Sequence, residues 1–570
     1  MKLNVFLLTK DTINDLFDLP AIDEHYNWIV IRPNAISTYE KLSKLIRKYK
    51  PVVFCSIGLQ TDWSSMLELP YQYRKHWIHY NTVKEIQSSS IEYCYMDAIT
   101  KNRCSKENPL FSVISTTFHS GEKIFRPYNS LKNQTYTNWE WVLWDDSKEE
   151  HKDIWKQLLQ FQENDIRIQC YRAPQHSGYI GEMKWLSSSL CKGDWIVEVD
   201  HDDIIDDRLF EWCNEAIQKY PDADFLCSSC VELHEDDEAP FSYGDFSAFG
   251  HVGYHKEWLR GKWHNVYHVP YMNPKTIRHI VGVPNHVRIW KRTFYEKIGK
   301  HNPDLPVVDD YELLLRSYLE GKWVYINAPT YFQYRNRGGN NFTFLRNSLI
   351  QHLTKNIYNT YMKQIENFWK EKGVHIEDYN YDNYKLWEKA DGFNFNYGYD
   401  IYTPNTTNNT VAVILSVENE SKHDILKTIH SVVKQEYTDW IIYIVGNKSQ
   451  TLNNAMDWIR TLYDDSIINK IRWWNLETYT NRQIALNYAH RMLVHTEWMS
   501  YLEIGNIWDK DFLSKNMAKL IQSDKKIAIS NKVVLYDSIH HYTFLREFKQ
   551  LSDNEVKSIL QKIISEIKNS

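Results

Sequence analysis

No stretch of this 570-residue chain reaches 18 uninterrupted apolar residues, so no helix is expected to span a membrane. Nor is there a basic run or stripe. With 67 Lys+Arg against 73 Asp+Glu the formal net charge is -6, the wrong sign for a nucleic-acid protein. Cysteine is sparse: 8 scattered residues make no disulfide framework and suit a reducing compartment, so a cytoplasmic location is expected. The apolar stretch near Met1 is too short for a secretory signal and meets charge at Lys10. Peripheral association with a membrane and assembly into a homo-oligomer stay open.

What is present is the make-up of a soluble globular protein, 43% hydrophobic and 25% charged. The length asks for roughly three domains at about 100 to 200 residues each. Aromatics form 15% of the chain, with 39 Tyr and 22 Trp, which suits stacking on the C–H faces of sugar rings and equally suits ordinary packing.

From Met1 to about Lys106, short apolar runs alternate with helical stretches such as Thr38 to Tyr49, the pattern of a small α/β unit. A strand–helix–strand rhythm sets in at Pro109. Strands are predicted over 111–116, 139–144, 166–171 and 195–199, with helices over 127–133 and 181–190. Two acidic clusters, Asp145-Asp146 and Asp200-His201-Asp202-Asp203, follow the carboxyl ends of such strands, where open α/β sheets bind ligands.

Sliding the chain against itself reveals a repeat. Ser115, Gln134, Tyr136 and Trp139 recur as Ser416, Gln435, Tyr437 and Trp440, and the run from Gly193 to Asp200 matches Thr496 to Glu503. The second copy loses most carboxylates: Gly446-Asn447 stands for Asp145-Asp146, and Glu503-Ile504-Gly505-Asn506 for Asp200 to Asp203. The expected organisation is a small α/β domain over 1–106, a carboxylate-bearing α/β domain over 107–345 and a helical linker over 346–407. A degenerate copy over 408–548 and a C-terminal helix over 549–570 follow.

An Asp-x-Asp at a strand end suits Mg²⁺ or Mn²⁺, hard cations that take carboxylate oxygens and leave positions for phosphate and water. Such a metal neutralises charge developing on a departing nucleoside diphosphate. The plain alternative is that Asp202 or Asp203 caps a helix starting near Asp206. Asp309-Asp310 likewise reads as a cap and first-turn residue of a helix, or as a carboxylate pair beside an anionic site.

Taken in order, Ser112 to Thr117, Ser130 to Glu140, Val142 to Ser147, Gly178 to Lys184, Asp200 to Asp203, Val287 to Gly299, Val307 to Arg316 and Tyr334 to Asn340 resemble the successive motifs of glycosyltransferase family 2. The resemblance covers about Phe111 to Thr343. It implies an α/β fold of the GT-A, nucleotide-diphospho-sugar transferase class, here duplicated. It also implies an inverting, metal-dependent transfer from a nucleotide-sugar donor, expected to be a UDP-sugar, to a glycan or other hydroxyl acceptor. By the same resemblance Thr116, Asp145 and Asp146 hold the base and ribose, Asp200 serves donor and metal, and Asp202 is the direct metal ligand. Lys184, a further donor contact, falls where the family more often has Arg-Asn. Arg335 and Arg337 are expected at the diphosphate, since guanidinium groups match phosphate oxygens in pairs. Asp310, with Asp309 beside it, is the expected base for the acceptor proton.

Rival readings explain less. Glycoside hydrolysis uses paired carboxylates but leaves the Asp-x-Asp beside a nucleotide-type strand pair without a purpose. A nucleotidyltransferase would share the fold type, yet no Gly-rich phosphate loop opens the domain. A non-catalytic glycan-binding or scaffold protein of glycosyltransferase origin is the remaining alternative. His251, His255, His264 and His268 show an i, i+4 spacing that would suit zinc on helices, but Gly250, Gly253 and Gly261 oppose helix there. An aromatic acceptor loop is expected instead, with Trp258 and Trp263 as stacking platforms. Cys227 and Cys230 read as buried thiols.

Overall fold

The structure is a computed structural model that describes residues 3–10, 26–58, 60–86, 90–91, 94, 108–148, 152–173, 175–242, 254–267, 277, 284–337, 345–373, 399–447, 449–476, 489, 495–523, 527–530 and 533–537. The expected C-terminal helix over 549–570, and the 374–398 part of the expected linker, lie outside these residues.

The first unit is a parallel sheet of β1 (Leu3–Leu8), β2 (Tyr26–Ile31), β3 (Val53–Ile57) and β4 (Trp77–Tyr80) in the order β2-β1-β3-β4. The helix Tyr39–Tyr49 begins where the Thr38 side chain accepts a bond from the Lys41 amide, and buries Leu42 and Ile46 against Phe6, Leu8 and Phe54. The same helix ties this unit to the next. Tyr39 Oη donates to Asp165 Oδ1 at 2.9 Å, and Arg47 donates to the Asp165 carbonyl at 2.7 Å. Arg167 grips Asp165 with two nitrogens and lies 3.7 Å from the centre of the Trp139 ring.

The second unit is built on β5 (Phe111–Thr117), β6 (Trp139–Asp145), β7 (Ile168–Arg172) and β8 (Trp195–Glu198), parallel in the order β7-β6-β5-β8. Both faces of this sheet are buried: Val113 and Val197 join one apolar cluster, Ile114 and Ile196 the other. Strands covered on both faces read as near-continuous apolar runs, which is why they stand out in the sequence. Beyond β8 the sheet turns antiparallel. β13 (Arg288–Lys291) runs against β8 with Arg288 opposite Glu198, and β10 (Phe225–His234) pairs with β13 and with β14 (Trp323–Arg335). The two-residue β9 (Ile204–Ile205) pairs with β14. A 25-residue helix, Asn347–Glu371, follows, and β15 (Tyr399–Tyr402) then pairs in parallel with β14.

Further along, β16 (Val411–Val417), β17 (Trp440–Asn447), β18 (Ile471–Leu476) and β19 (Trp498–Tyr501) pair in the order β18-β17-β16-β19, all parallel, as in the second unit. Residues that recur in the sequence do the same work in both places. The Gln134 amide donates to the Ser130 and Asp206 carbonyls and accepts from the Phe210 amide; Gln435 does so with Ser431, Asp509 and Leu513. Tyr136 Oη donates to the Pro109 carbonyl, and Tyr437 Oη to that of Asn409.

A hairpin of β11 (Tyr254–Leu259) and β12 (Lys262–Tyr267) joins the two halves, with Lys256 paired to Trp473 of β18. This corrects the expectation of an acceptor loop. Trp258 is buried in the apolar core of the later half and donates to Asp465 Oδ1 at 2.8 Å, while Trp263 packs on that core and donates to the Met456 carbonyl at 3.3 Å. Both indoles are committed to packing and hydrogen bonding within the later half, which takes them out of an acceptor loop. The strand geometry also separates the histidines, His255 bonding Glu257 within β11 at 2.6 Å; His251 and His268 lie outside the described residues. Cys227 and Cys230 are buried free thiols. Among the described residues no helix is long and apolar enough to cross a membrane.

Candidate active site

Strand β8 ends at Glu198, and the chain turns at once through Asp200 to Asp203. Asp203 is 1% exposed. It accepts from Tyr331 Oη at 2.9 Å and from the Tyr334 amide at 2.8 Å, which pins the turn to β14. Burial, reinforced by the nearby Asp202 and Asp200, pushes its carboxyl well above the usual range. Asp200 and Asp202 point the other way. The Asp200 side chain is 39% exposed, with His286 Nε2 3.4 Å from its Oδ2, and Asp202 is half-buried. The Asp202 carbonyl accepts from Arg126 at 2.9 Å, and the same guanidinium reaches Glu235 at 3.0 Å. Neither Asp202 nor Asp203 caps a helix: the next one, Leu209–Lys219, has Arg208 at its N-cap and no side-chain cap bond.

Two open carboxylates on one turn, held in place by a third, fit a hard divalent cation. Among the described residues no group of three His, Cys, Asp or Glu side chains comes together to hold a metal. A cation held by Asp200 and Asp202 would need its remaining ligands from elsewhere, such as phosphate and water oxygens.

The second acidic pair opens the helix Asp309–Glu320. Its N-cap is Val308, in the left-handed region at φ 57, without a side-chain cap bond. A β-branched residue there is strained, and such strain concentrates at functional sites. Asp309 is thus not the cap. It is 2% exposed, with Oδ2 3.1 Å from Lys184 Nζ and 3.7 Å from His301 Nε2. Burial pushes its carboxyl up to about 6, against the pull of Lys184. A carboxylate so enclosed cannot touch an acceptor, which corrects its expected catalytic role. The Asp310 side chain is 28% exposed, its Oδ2 2.9 Å from Arg288. Burial would raise its carboxyl, but Arg288 and then Lys184 outweigh burial and hold it below the usual carboxylate range.

Lys184 corrects a further expectation. It is buried between Glu198 Oε1 at 2.6 Å and Asp309, so it neutralises two buried carboxylates and is not placed to contact a donor. Gly181 on the same helix, Ile180–Ser189, makes this possible: a Cβ there would lie 2.0 Å from the Asn302 carbonyl oxygen. Gly181→Ala is expected to destabilise the protein by about 1–3 kcal/mol, as overpacking does, read as a lower urea midpoint. An unchanged midpoint would show that the contact yields easily.

On the nucleotide side, Thr116 is half-buried at the end of β5, opposite Trp144. Asp145 is fully buried, accepting from Thr117 Oγ1 at 3.0 Å and the Ser147 amide at 3.1 Å, with Arg172 Nε 3.5 Å away. Asp146 accepts from the amides of Ser177 at 2.8 Å and Gly178 at 3.1 Å, beside His176 Nδ1 at 2.8 Å. Both carboxylates order the surrounding loops. The expected diphosphate cations are also committed. Arg335, buried, bonds Glu232 at 3.0 Å, and Arg337 bonds Asp237 at 2.8 Å, because β10 and its following turn carry these acids alongside β14. Sequence reasoning missed Phe118. It is 42% exposed just past β5 and stacks on His119 at 3.8 Å and His176 at 4.7 Å; an aromatic directly after a strand end was the available signal.

In the later half, the position matching Asp145 is Gly446, where a Cβ would lie 2.4 Å from Leu452 Cδ2 and 3.0 Å from Asn475 Oδ1. These two side chains leave no room for a carboxylate.

The chain is 26% identical over 128 residues to glycosyltransferase GlyG of Streptococcus pneumoniae serotype 4, which is 22% of this chain and 41% of the relative. The chain thus spans about two fifths of the length of that curated relative. Among solved structures, S. aureus TarS 1-349 matches at TM-score 0.31 and 16% identity, covering 46% of this chain and 71% of that one. Mannosyltransferase PcManGT from Pyrobaculum calidifontis, in complex with GDP-Man and Mn²⁺, matches at 0.31 and 14%, covering 45% and 65%. The model of glycosyl transferase family 2 matches residues 112–295. This stretch, which runs from the first strand of the sheet through Asp200 to Asp203 and on to Arg288, is a glycosyl transferase family 2 domain.

Proposed function

We propose that the 107–345 unit transfers a sugar, with inversion, from a nucleotide-sugar donor, a UDP-sugar, to a hydroxyl of a glycan or another acceptor, assisted by Mn²⁺ or Mg²⁺. One observation carries this reading: in both acidic clusters the fold buries one carboxylate and presents its neighbour. Asp203 and Asp309 are sunk, while Asp200, Asp202 and Asp310 remain partly exposed. His286 and Arg288, two residues apart, contact Asp200 and Asp310 and so bring the two clusters to one place.

Asp200 and Asp202 would hold the metal, whose positive charge stabilises a departing diphosphate. Phe118 and Thr116, at the end of β5, provide an aromatic face and a polar edge for the nucleobase. Asp146 keeps the Ser177-Gly178 loop in register beside them. Asp310 accepts the hydrogen bond of the acceptor hydroxyl and takes its proton as that oxygen attacks the anomeric carbon from the face opposite the diphosphate. We read the later half as a repeat of this unit that has lost its site; the shared strand order and the matched Gln134 and Gln435 bonds support that reading.

The test is release of nucleoside diphosphate from a panel of nucleotide sugars. We expect release with at least one donor, lost on chelation and restored by Mn²⁺, and a fall of about 100-fold or more in Asp202→Ala. No turnover of any donor, together with unaltered nucleotide binding in Asp202→Ala, would overturn the proposal.

A further inference from the structure

We propose that Arg288 is a positioning residue for the transfer, one that fixes the Asp310 carboxylate and ties it to the strand leading into Asp200 to Asp202. This rests on the reading of Asp310 as the base. Arg288 opens β13, directly opposite Glu198 of β8, and is 2% exposed. One guanidinium nitrogen is 2.9 Å from Asp310 Oδ2 and 3.5 Å from Glu198 Oε1, and Nε donates to the Pro284 carbonyl at 3.3 Å. Glu198 lies two residues before Asp200, and the same Oε1 also takes the Lys184 ammonium at 2.6 Å. The other oxygen of Asp310 accepts from the Tyr311 amide at 2.7 Å. The carboxylate is therefore gripped at both oxygens, and one of the grips runs through the metal-side strand.

A side chain as long and charged as Arg is rarely sunk so far unless it is paired on every side. The groups around Asp310 are Arg288 from β13, His286 just before it, Lys184 from the helix Ile180–Ser189, Glu198 from β8, His301 from the loop before the Asp309–Glu320 helix, and Asp309 on that helix. Burial and Lys184 lower His301 to about 3, so it is neutral at working pH, and burial and Arg288 also lower His286. Lys184 is bonded to Glu198 and Asp309. Among the described residues Arg288 is the cation in contact with the base.

The experiment is a double-mutant cycle on the full chain, reading nucleoside diphosphate release with Mn²⁺ and, separately, binding of UDP with Mn²⁺ by calorimetry. In Arg288→Gln, kcat is expected to fall about 10- to 100-fold while UDP binding changes by less than about twofold. The acid limb of kcat moves to higher pH, because a carboxylate without its cation takes up a proton sooner. Arg288→Lys recovers part of the loss, keeping the charge without the fork. In an Asp310→Asn background the same replacement changes kcat by less than about twofold, since the group it acts through is gone. Wild-type kcat and pH profile in Arg288→Gln, or equal losses in both backgrounds, would overturn the proposal. Should Arg288→Gln fail to fold, Arg288→Lys decides by the same comparison of backgrounds. An inactive Asp310→Asn beside a fully active Arg288→Gln removes only the role of Arg288; wild-type turnover in Asp310→Asn removes the base itself.

Discussion

Asp310→Asn is expected to lower sugar transfer by about 10²- to 10⁴-fold while nucleotide and Mn²⁺ binding persist. The replacement keeps the shape of the side chain and removes its basicity, so the loss belongs in kcat. Arg288 sits 2.9 Å from this carboxylate and holds it ionised below the usual carboxylate range, ready for an acceptor proton across the neutral pH range. Asp309→Asn makes the informative contrast. Asp309 is 2% exposed, and its removal leaves Lys184 to face Glu198 alone. Its expected effect is on stability and soluble yield. Full activity in Asp310→Asn with selective loss of kcat in Asp309→Asn would reverse the assignment of the two residues.

The second large effect is expected far from the chemistry, where the hairpin β11–β12 enters the later half. Arg472 of β18 places Nε 3.2 Å from Glu257 Oε1 and donates to the Asn327 carbonyl at 3.4 Å. Both side chains are buried, with His255 Nε2 2.6 Å from the same Glu257 Oε1. Burial would raise Glu257, but Arg472 and His255 outweigh it and keep the carboxyl low. Arg472→Ala strands that buried carboxylate, and losing one partner of a buried pair costs about 3–5 kcal/mol. We expect a lower urea midpoint for the tryptophan fluorescence transition, because Trp258, Trp263 and Trp473 pack at this seam. The matched double replacement Glu257→Gln with Arg472→Met should recover most of the loss, since neither group is then left charged and alone. A midpoint unchanged in Arg472→Ala would show that the halves are held by apolar packing without this pair.

Much of this architecture was legible in the chain before any fold was seen. The hydrophobic segments from Phe111, Trp139 and Trp195 mark buried parallel strands, because a strand covered on both faces does not follow a strict alternation of apolar and polar positions. Acidic residues directly after those runs mark the ligand edge of the sheet. The spacing of Gln134 and Tyr136 to Gln435 and Tyr437 records the same bonds made inside each half, so the pattern survives in sequence.

The identity of the working carboxylates is a different kind of fact. Asp202 and Asp203 are neighbours with the same chemistry, as are Asp309 and Asp310, and no periodicity separates them. What separates them is a partner on another element: Tyr331 for Asp203, Lys184 for Asp309 and Arg288 for Asp310. Arg335, Arg337, Trp258 and Trp263 misled for the same reason, since each had the right chemistry for a ligand and found its partner elsewhere in the chain. Local periodicity and chemistry are enough to place strands and acidic clusters along the chain. Which side chain faces solvent depends on desolvation and long-range ion pairing, and those exist once the strands have come together.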